Sequence, residues 1–311
     1  MAAPRQDDPV GIGVRLVDAP VDARDDPRAR IYIVDHLAPG AVIQRRIEIS
    51  NTTSAAHEVA LYASAATIGD GSFVGSADRT PNELSSWTTV DPGASDIAAG
   101  GRVTATVTIT VPDDAAPGEQ YGVVWAETRS DDEGGGVVQV SRVGIRLYVS
   151  VGPGGPPAAD FTIESLTAGR TVDGTPTISA AVRNTGGRAL DLDGTLRLSD
   201  GPGGLSAGPF AAETSSTLAV GATEPVSIEL DERLPAGPWT ARVDMVSGLV
   251  ERSAEAVVTF PDAGPGVAVA AAPGRSRPVW LYITAAIVAL LLVVGLALLW
   301  WRRRARSPQF A

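Results

Sequence analysis

A strict two-residue alternation is the feature that most constrains the fold of this chain. In residues 102–111, RVTATVTITV, apolar side chains take every second position and threonines fill the positions between them. Successive side chains of a strand point to opposite faces, so this pattern predicts a β-strand with one buried and one solvated face. Similar runs bounded by turn residues occur at 42–51, 57–65, 121–128 and 140–151.

The distribution of these runs predicts two domains. The stretch GPGGPPAA at 152–159 is too rich in Pro and Gly to pair within a sheet, so it predicts a linker. A second set of strands ends near residue 260. No helical period with caps is found before the C-terminal apolar run. We therefore predict an all-β fold: two tandem Ig-like antiparallel β-sandwiches, 11–151 and 160–260, plus one C-terminal transmembrane α-helix. Residues 1–10 are expected to be disordered.

The two β regions echo each other. IEISNTTSAAHEV at 47–59 resembles AAVRNTGGRALDL at 180–192, since each has Asn-Thr between two strands. PDDAAPGEQYGVVW at 112–125 resembles ELDERLPAGPWTARV at 229–243, since in each a Pro and a Gly precede an aromatic residue on a strand. We interpret the Asn as tolerating a left-handed turn, and the Pro/Gly turn as aiming the aromatic side chain into the core.

Residues 279–301 form an apolar run without charge. It is 23 residues long, and at about 1.5 Å per residue it would cover a hydrocarbon core of about 30 Å. Aromatic residues that favour the headgroup level occupy its two ends: Trp280, Tyr282, Trp300 and Trp301. The sequence therefore predicts a membrane-spanning helix, with the lipid bilayer as one partner of the chain.

The flanking charges predict the orientation of this helix. Four arginines follow it, Arg302, Arg303, Arg304 and Arg306, and fewer precede it. The more basic flank stays in the cytoplasm, so we expect residues 302–311 inside and residues 1–278 outside, with 261–278 as a stalk. An exported region needs a signal peptide, and MAAPRQDDPVGIG has no apolar segment of that kind. We expect that the signal was removed or the start was assigned too late. The alternative is a tail-anchored protein that faces the cytosol.

Composition narrows the classes of partner. The formal net charge is −11, there is no cysteine, and the basic residues are arginines throughout. An acidic ectodomain repels nucleic acid, so we predict no nucleic-acid partner. The absence of cysteine excludes disulfides and thiolate metal sites. The Ala-, Gly- and Arg-rich composition is typical of a GC-rich genome.

Motifs for catalysis and for cofactors are weak. GLSAG at 204–208 matches the nucleophile pattern around Ser206, but His36 and His57 both precede it in the other predicted domain. Two histidines without suitable carboxylate spacing make a poor zinc site. The acidic groups at 25–26, 113–114, 131–133 and 191–193 could bind calcium, but we interpret them as solvated turns. The sequence therefore predicts a protein that is not an enzyme and has no cofactor and no metal.

Three aromatic residues are the candidate ligand-binding side chains. Tyr121 and Trp125 lie on one face of a predicted strand, and Trp87 precedes another strand. Such rings fill the core of a sandwich in one interpretation. In the other, one of them stacks on a sugar of a wall polymer, because rings offer flat apolar faces to glycans.

Residues 11–151 resemble the peptidoglycan-binding domain of WxL-interacting proteins. The resemblance is carried by GIGVRLVDA, IYIVDHLAPGAVIQRRIEISNTTSAAHEVALYASAA, LSSWTTVDP and IAAGGRVTATVTITVPDDAAPGEQYGVVWAE. It implies a second β-domain that contacts partner proteins, one C-terminal span and a short basic tail, on the surface of a Gram-positive bacterium. The composition favours an actinobacterium, in which a WxL partner need not exist.

Two functions are compatible with this organisation. The leading hypothesis is a membrane-anchored cell-surface protein whose sandwiches bind peptidoglycan or another wall polymer. The alternative is a protein-protein module that pairs a sheet edge with a strand of a secreted surface protein, which would give affinity through backbone hydrogen bonds.

Overall fold

The structure is a computed structural model that describes residues 11–20, 23–76, 78–129, 138–212 and 216–274. The predicted disordered N-terminus, membrane helix and cytoplasmic tail lie outside these ranges. The candidate anchors Trp280, Tyr282, Trp300 and Trp301 and the arginines of the tail, Arg302, Arg303, Arg304 and Arg306, therefore also lie outside the described residues. Within the described ranges, no helix has the length and apolarity needed to cross a membrane.

The described residues form two short α-helices, a 3-10 helix at Pro202–Gly204 and twenty strands. The α-helices are α1 (Pro27–Ile31) and α2 (Glu83–Trp87). The strands of the first domain are β1 (Ile12–Leu16), β2 (Ile33–Leu37), β3 (Val42–Asn51), β4 (His57–Gly69), β5 (Ser72–Gly75), β6 (Thr88–Asp91), β7 (Ala94–Ile97), β8 (Arg102–Thr110), β9 (Gly118–Arg129) and β10 (Val140–Val151). The strands of the second domain are β11 (Phe161–Arg170), β12 (Pro176–Asn184), β13 (Leu190–Ser199), β14 (Ala207–Ala211), β15 (Ser216–Leu218), β16 (Thr223–Glu229), β17 (Trp239–Ser247), β18 (Val250–Val258), β19 (Gly264–Ala270) and β20 (Ala272–Pro273).

The first domain is a sandwich of two sheets. One has the order β1-β3-β8-β6, and the other has the order β2-β10-β9-β4-β5, with β7 also paired to β4. The alternation of β8 is confirmed, because Ala105, Val107 and Ile109 are buried. They meet Val124 of β9 and Leu147 of β10 in one apolar core. The threonines between them lie on the outer face.

The second domain repeats this arrangement. Its sheets have the orders β16-β12-β11-β19 and β14-β13-β17-β18-β20, with β15 paired to β13. Leu166, Ile178, Leu196 and Val243 meet in a separate core. No strand or helix lies within residues 152–160. The predicted all-β class with two sandwiches is therefore confirmed for the described residues.

Three local features differ from the sequence prediction. The sandwiches are not wholly antiparallel, because β2 pairs with β10 in parallel. Helix α1 was not predicted, since it is one turn long and has no visible period; Asp26 caps it and Pro27 begins it. Part of the predicted stalk is structured, since Gly264–Ala270 pairs with β11. Pairing with a distant strand supplies backbone partners that the Pro/Gly composition alone did not suggest.

The repeated asparagines have a different role from the one predicted. Neither Asn51 nor Asn184 has a positive φ. Each is buried, and its side-chain amide donates to three backbone carbonyls that surround it. Each side-chain oxygen accepts the N–H two residues later, from Thr53 and Gly186. The Asn is selected for its side chain and not for a left-handed backbone.

The Pro/Gly turn directs its aromatic residue inward in one domain alone. Trp239 is 1% exposed and packs in the core of the second domain, where its Nε1–H donates to the carbonyl of Pro235 at 2.9 Å. Tyr121 lies on the outer face of the first domain. Turn chemistry places an aromatic residue near the start of a strand, but the strand register decides which face carries it.

Candidate interaction surface

The outer face of the β2-β10-β9-β4 sheet is the most chemically varied surface of the first domain. Cross-strand partners on it include Tyr62, Trp125 and Gly144 in one row and Tyr121 and Tyr148 in another. The face divides into two halves. The half around Tyr148 lies against the second domain, and the half around Trp125 does not.

A buried ion cluster joins the two domains, with the carboxylate of Asp191 at its centre. Arg28 Nε donates to Asp191 Oδ2 at 2.8 Å, and both side chains are less than a tenth exposed. Asp191 Oδ1 accepts from Thr217 Oγ1 at 2.7 Å, from the Tyr148 hydroxyl at 3.0 Å and from Arg146 Nη1 at 3.1 Å. These four donors satisfy both oxygens of a carboxylate that is shielded from solvent. The interpretation of residues 191–193 as a solvated turn is therefore wrong for Asp191.

Helix α1 positions Arg28 for this contact. The side chain of Asp26 accepts the Arg28 N–H at 2.9 Å and is itself buried, so Asp26 also is not a solvated turn residue. The Arg28 guanidinium donates to the carbonyl of Ala189 and lies 4.7 Å from the ring centre of Tyr148. Burial lowers the pKa of Arg28, but the charges of Asp191, Tyr148 and Asp26 and the hydrogen bond to Asp191 together outweigh it, so the pKa stays above its usual value. The residue is therefore a permanent cation within the interface.

A second link runs through Glu119. Its Oε2 accepts the backbone N–H of Ala189 and the hydroxyl of Tyr121, each at 2.6 Å. Burial raises the pKa of Glu119 above its ordinary value, although these hydrogen bonds and two neighbouring arginines act in the opposite direction. Burial and the Glu119 carboxylate also raise the pKa of Tyr121. The Tyr121 hydroxyl is thus a constant donor that holds the interface.

Two clefts open beside this junction. One, of about 410 Å³, is lined by groups of both charges, including Arg188, whose pKa is lowered by burial and by the nearby Arg28. The other, of about 650 Å³, lies where Asp70 in the turn after β4 meets the second domain, and it is lined by hydroxyls of Thr167 and Ser227 and by the carboxylate of Glu224. The smaller cleft has three carboxylates, those of Asp26, Asp35 and Glu119, beside the ring of Tyr148.

The free half of the outer face carries a second ion cluster. Glu127 accepts from Tyr62, from Arg142 Nε at 2.6 Å and from Arg129 Nε at 2.8 Å. Burial alone would raise the pKa of Glu127, but these donors lower it to about 2. The guanidinium of Arg79 lies 4.2 Å from the ring centre of Tyr62. Strands β4, β9 and β10 are thereby fixed to one another.

Trp125 fills a space that two glycines leave open. A Cβ at Gly144 would come within 2.7 Å of its ring, and so would a Cβ at Gly75. The indole N–H donates to the carbonyl of Ser76 at 3.1 Å. Trp125 therefore fastens the segment after β5 to the sheet, and its ring is partly exposed.

Strand β10 is paired on one side along its whole length but on the other side along half of it. It pairs with β9 from Val140 to Val151, whereas β2 pairs with it from Leu147 to Val151. The half Val140–Arg146 therefore has no partner strand on its outer side among the described residues. Strand β1, of the other sheet, lies close to β10 without pairing with it.

Other exposed edges are shorter or carry a proline. Strand β6 has four residues. Strands β14, β16 and β19 contain Pro209, Pro225 and Pro265, and proline at an edge hinders the addition of another strand. The seven-residue half of β10 is the longest stretch of edge that has neither a paired strand nor a proline in the described part of the chain.

The three predicted aromatic candidates occupy different environments. Trp87 ends α2 and packs against the core of the first domain. Tyr121 lies at the domain interface beside Tyr148, and Trp125 lies on the free half of the outer face. Tyr121 and Trp125 share a face as predicted, but that face is outside the core. Sequence reasoning missed Arg28 and assigned Asp191 to a solvated turn. The sequence Asp26-Pro27 is a helix-start signal that could have located α1.

Comparisons with known proteins give fold-level similarities of low score. No family model matches the sequence, and no curated protein matches it. The CupB2 chaperone of Pseudomonas aeruginosa aligns at 10% identity over 73% of this chain and 97% of that chain, with a TM-score of 0.39. The E. coli chaperone DraB aligns at 10% identity over 77% and 94%, with a TM-score of 0.38. A chain of the Salmonella enterica complex of SafA pilin and the SafB chaperone aligns at 9% identity over 85% and 97%, with a TM-score of 0.40. Scores this low support no argument about function.

Proposed function

We propose that this chain is a protein-protein interaction module that binds a partner by adding a strand of that partner to the free half of β10. The observation that carries the proposal is the register of β10, whose half Val140–Arg146 lacks an outer partner among the described residues. An unpaired edge offers a row of backbone donors and acceptors, which is the basis of recognition by strand addition.

The direction of the backbone groups supports this role. The N–H of Gly152, directly after β10, donates to the carbonyl of Leu37 in β2 at 3.1 Å. Because N–H groups alternate sides along a strand, those of Arg142, Gly144 and Arg146 point to the same side as that of Gly152. The hydrogen bonds between β9 and β10 already hold these backbone N–H groups in line for a partner strand.

Side chains at the edge also suit an added strand. Val143 is half-buried against the core, so an added strand would complete its burial. Val138 and Val140 are 42% and 39% exposed. Apolar groups beside an open backbone edge gain free energy when a strand covers both of them.

The domain interface would hold this edge rigid. Arg146 and Tyr148, in the same strand, contact Asp191 of the second domain. An edge that is ordered before binding loses little conformational entropy when a partner binds. The second domain therefore supports the edge in this proposal.

The predicted membrane helix indicates where the partner would be found. If residues 279–301 anchor the chain with the sandwiches outside, the partner is a secreted or surface protein. In this arrangement, a protease added to intact cells would cleave the sandwiches. Protection of the sandwiches until the cells are lysed would contradict it.

Two substitutions at one position test strand addition. Arg142→Ala and Arg142→Pro both remove the contact with Glu127, but Pro alone also removes the N–H that points to the open side. We expect a surface protein that co-purifies with the full-length chain to be retained by the Ala variant and lost by the Pro variant. Equal recovery with both variants, at equal unfolding midpoints, would contradict strand addition at this edge.

Contact with a wall polymer is a second candidate, favoured by the position of Trp125 on the free outer face. A partly exposed indole on this face could stack on a sugar ring. Pull-down with purified cell wall is expected to weaken severalfold in Trp125→Leu and not in Trp87→Leu. Equal retention of both variants would exclude a role of Trp125 in wall contact.

A further inference from the structure

The side chains next to the free edge are divided by charge between the two faces of β10. Val140, Arg142, Gly144 and Arg146 lie on the outer face, whereas Ser141, Val143 and Ile145 lie on the core side. Because side chains of paired strands lie beside one another on the same face, an added strand would meet apolar groups on one face and guanidinium groups on the other.

On the outer face, Arg142 and Arg129 lie nearer this edge than the acidic residues of β4 and β7, and Arg79 over the Tyr62 ring is a further cation away from the edge. Arg142 is on β10 itself, and Arg129 is on the neighbouring strand β9, where Glu127 balances one of the two charges. The acidic residues Glu58 and Asp96 are on β4 and β7, which are farther from the edge in the strand order. Strands are about 4.8 Å apart and salt screens charges over about 8 Å, so an added strand senses Arg142 most directly. It would meet Arg129, two strands away, through that residue's long exposed side chain.

The availability of Arg129 strengthens this argument. Its side chain is 65% exposed, and it lies across from Val140 at the start of the free half. Arg142 is 22% exposed and is held in place by Glu127. A carboxylate on the added strand could therefore pair with a guanidinium that the sheet has already positioned. The net positive charge here is local, since the whole chain carries −11.

We infer that the partner strand alternates apolar residues, which face the core side, with acidic residues, which face Arg142 and Arg129. This inference rests on the proposed function, because it specifies the partner of the same edge. The apolar residues would cover Val143, and the carboxylates would pair with the arginines. A basic strand would bring like charges together on the outer face and would be disfavoured.

Two matched peptides test the inference. Each is a fluorescent strand of about nine residues in which valine alternates with polar residues; glutamate is the charged residue in one and lysine in the other. Binding to the full-length chain is measured by fluorescence anisotropy at about 20 mM and about 500 mM salt. We expect the glutamate peptide to bind at least about tenfold more tightly at low salt, and the ratio to fall at high salt.

Variants of the chain separate this inference from the proposed function. Arg129→Gln should reduce the preference for the glutamate peptide severalfold, whereas Arg197→Gln, which removes an exposed charge from the second domain, should leave it unchanged. Arg142→Pro should abolish binding of the glutamate peptide, and Arg142→Ala should weaken it.

Failure of the acidic pattern and failure of strand addition give different results in these experiments. If the lysine peptide binds as well as the glutamate peptide, and Arg142→Pro abolishes binding of both, strand addition holds and the acidic pattern is overturned. If neither peptide binds, or if binding is the same in the Pro and Ala variants, strand addition at β10 fails and the inference fails with it.

Discussion

Two buried asparagines, one in each domain, each donate side-chain amide hydrogen bonds to three backbone carbonyls. The amide of Asn51 donates to the carbonyls of Ala55, Ile97 and Ala98, and the amide of Asn184 donates to those of an equivalent loop. A carboxylate cannot donate these bonds, and an alanine leaves the carbonyls without a partner. The repeated Asn-Thr pair in the sequence therefore reflects the same need, in each domain, for a side-chain amide that donates to these carbonyls.

The first prediction concerns this asparagine. Asn51→Asp keeps the acceptor for the Thr53 N–H but places a negative oxygen against the carbonyls, so the free energy of unfolding should fall by roughly 3 kcal/mol at pH 7. Denaturant unfolding of the full-length chain measures it. Thr52→Val, at the next and more exposed position, should cost clearly less, and a larger loss in Thr52→Val would contradict the assigned role.

At the scale of elements, strands β4, β9 and β10 are linked by charged side chains on the outer face of their sheet and by apolar packing on the core face. Glu127 on β9 accepts hydrogen bonds from Tyr62 on β4 and Arg142 on β10, so it links three neighbouring strands. On the other face, Val124 and Leu147 contribute to the core. This combination aligns β10 for the strand addition proposed above, because its inner ladder stays intact while its outer side is open.

The second prediction concerns pH. The folded-state pKa of Glu127 is lowered to about 2, below its unfolded value, so its contribution to stability is complete above the unfolded pKa and is lost as the pH falls toward 2. Glu127→Gln should remove on the order of 2 kcal/mol of the decline in unfolding free energy between neutral pH and pH 2.5. Denaturant titrations at a series of pH values measure it.

The matched control for that measurement is Glu119, whose pKa is raised by burial. A carboxylate with a raised folded-state pKa stabilises the fold as the pH falls, so the sign is opposite to that of Glu127. Glu119→Gln should leave the acid decline in place or make it steeper. The assignment to Glu127 is wrong if both variants flatten the decline equally.

At the scale of the whole molecule, the two sandwiches are joined by a polar interface. Asp191 binds Arg28, Arg146, Tyr148 and Thr217, and most of these groups are buried. Removing one member of a buried ion pair leaves its partner charged without compensation, which typically costs about 3–5 kcal/mol. The coupling of the domains therefore depends strongly on one carboxylate.

The third prediction concerns this coupling. Asp191→Ala should separate the unfolding of the two domains, so that calorimetry of the full-length chain shows two resolved transitions where the parent chain shows one. Asp193→Ala, at an exposed position on the same strand, should behave like the parent chain. A single transition in the Asp191 variant, at the parent temperature, would contradict a coupling role.

The sequence by itself determined the all-β class, the existence of two sandwiches and the bounds of several strands. Strand β3 begins and ends where predicted, because alternation and flanking turn residues are local properties. Only the tertiary structure decided that Tyr121 faces the second domain, that Arg28 and Asp191 meet across 163 positions of sequence, and that β2 covers half of β10. Those facts depend on which strands pair and how the domains dock. Such pairing is set by the packing of residues far apart in the chain, and no local pattern encodes it.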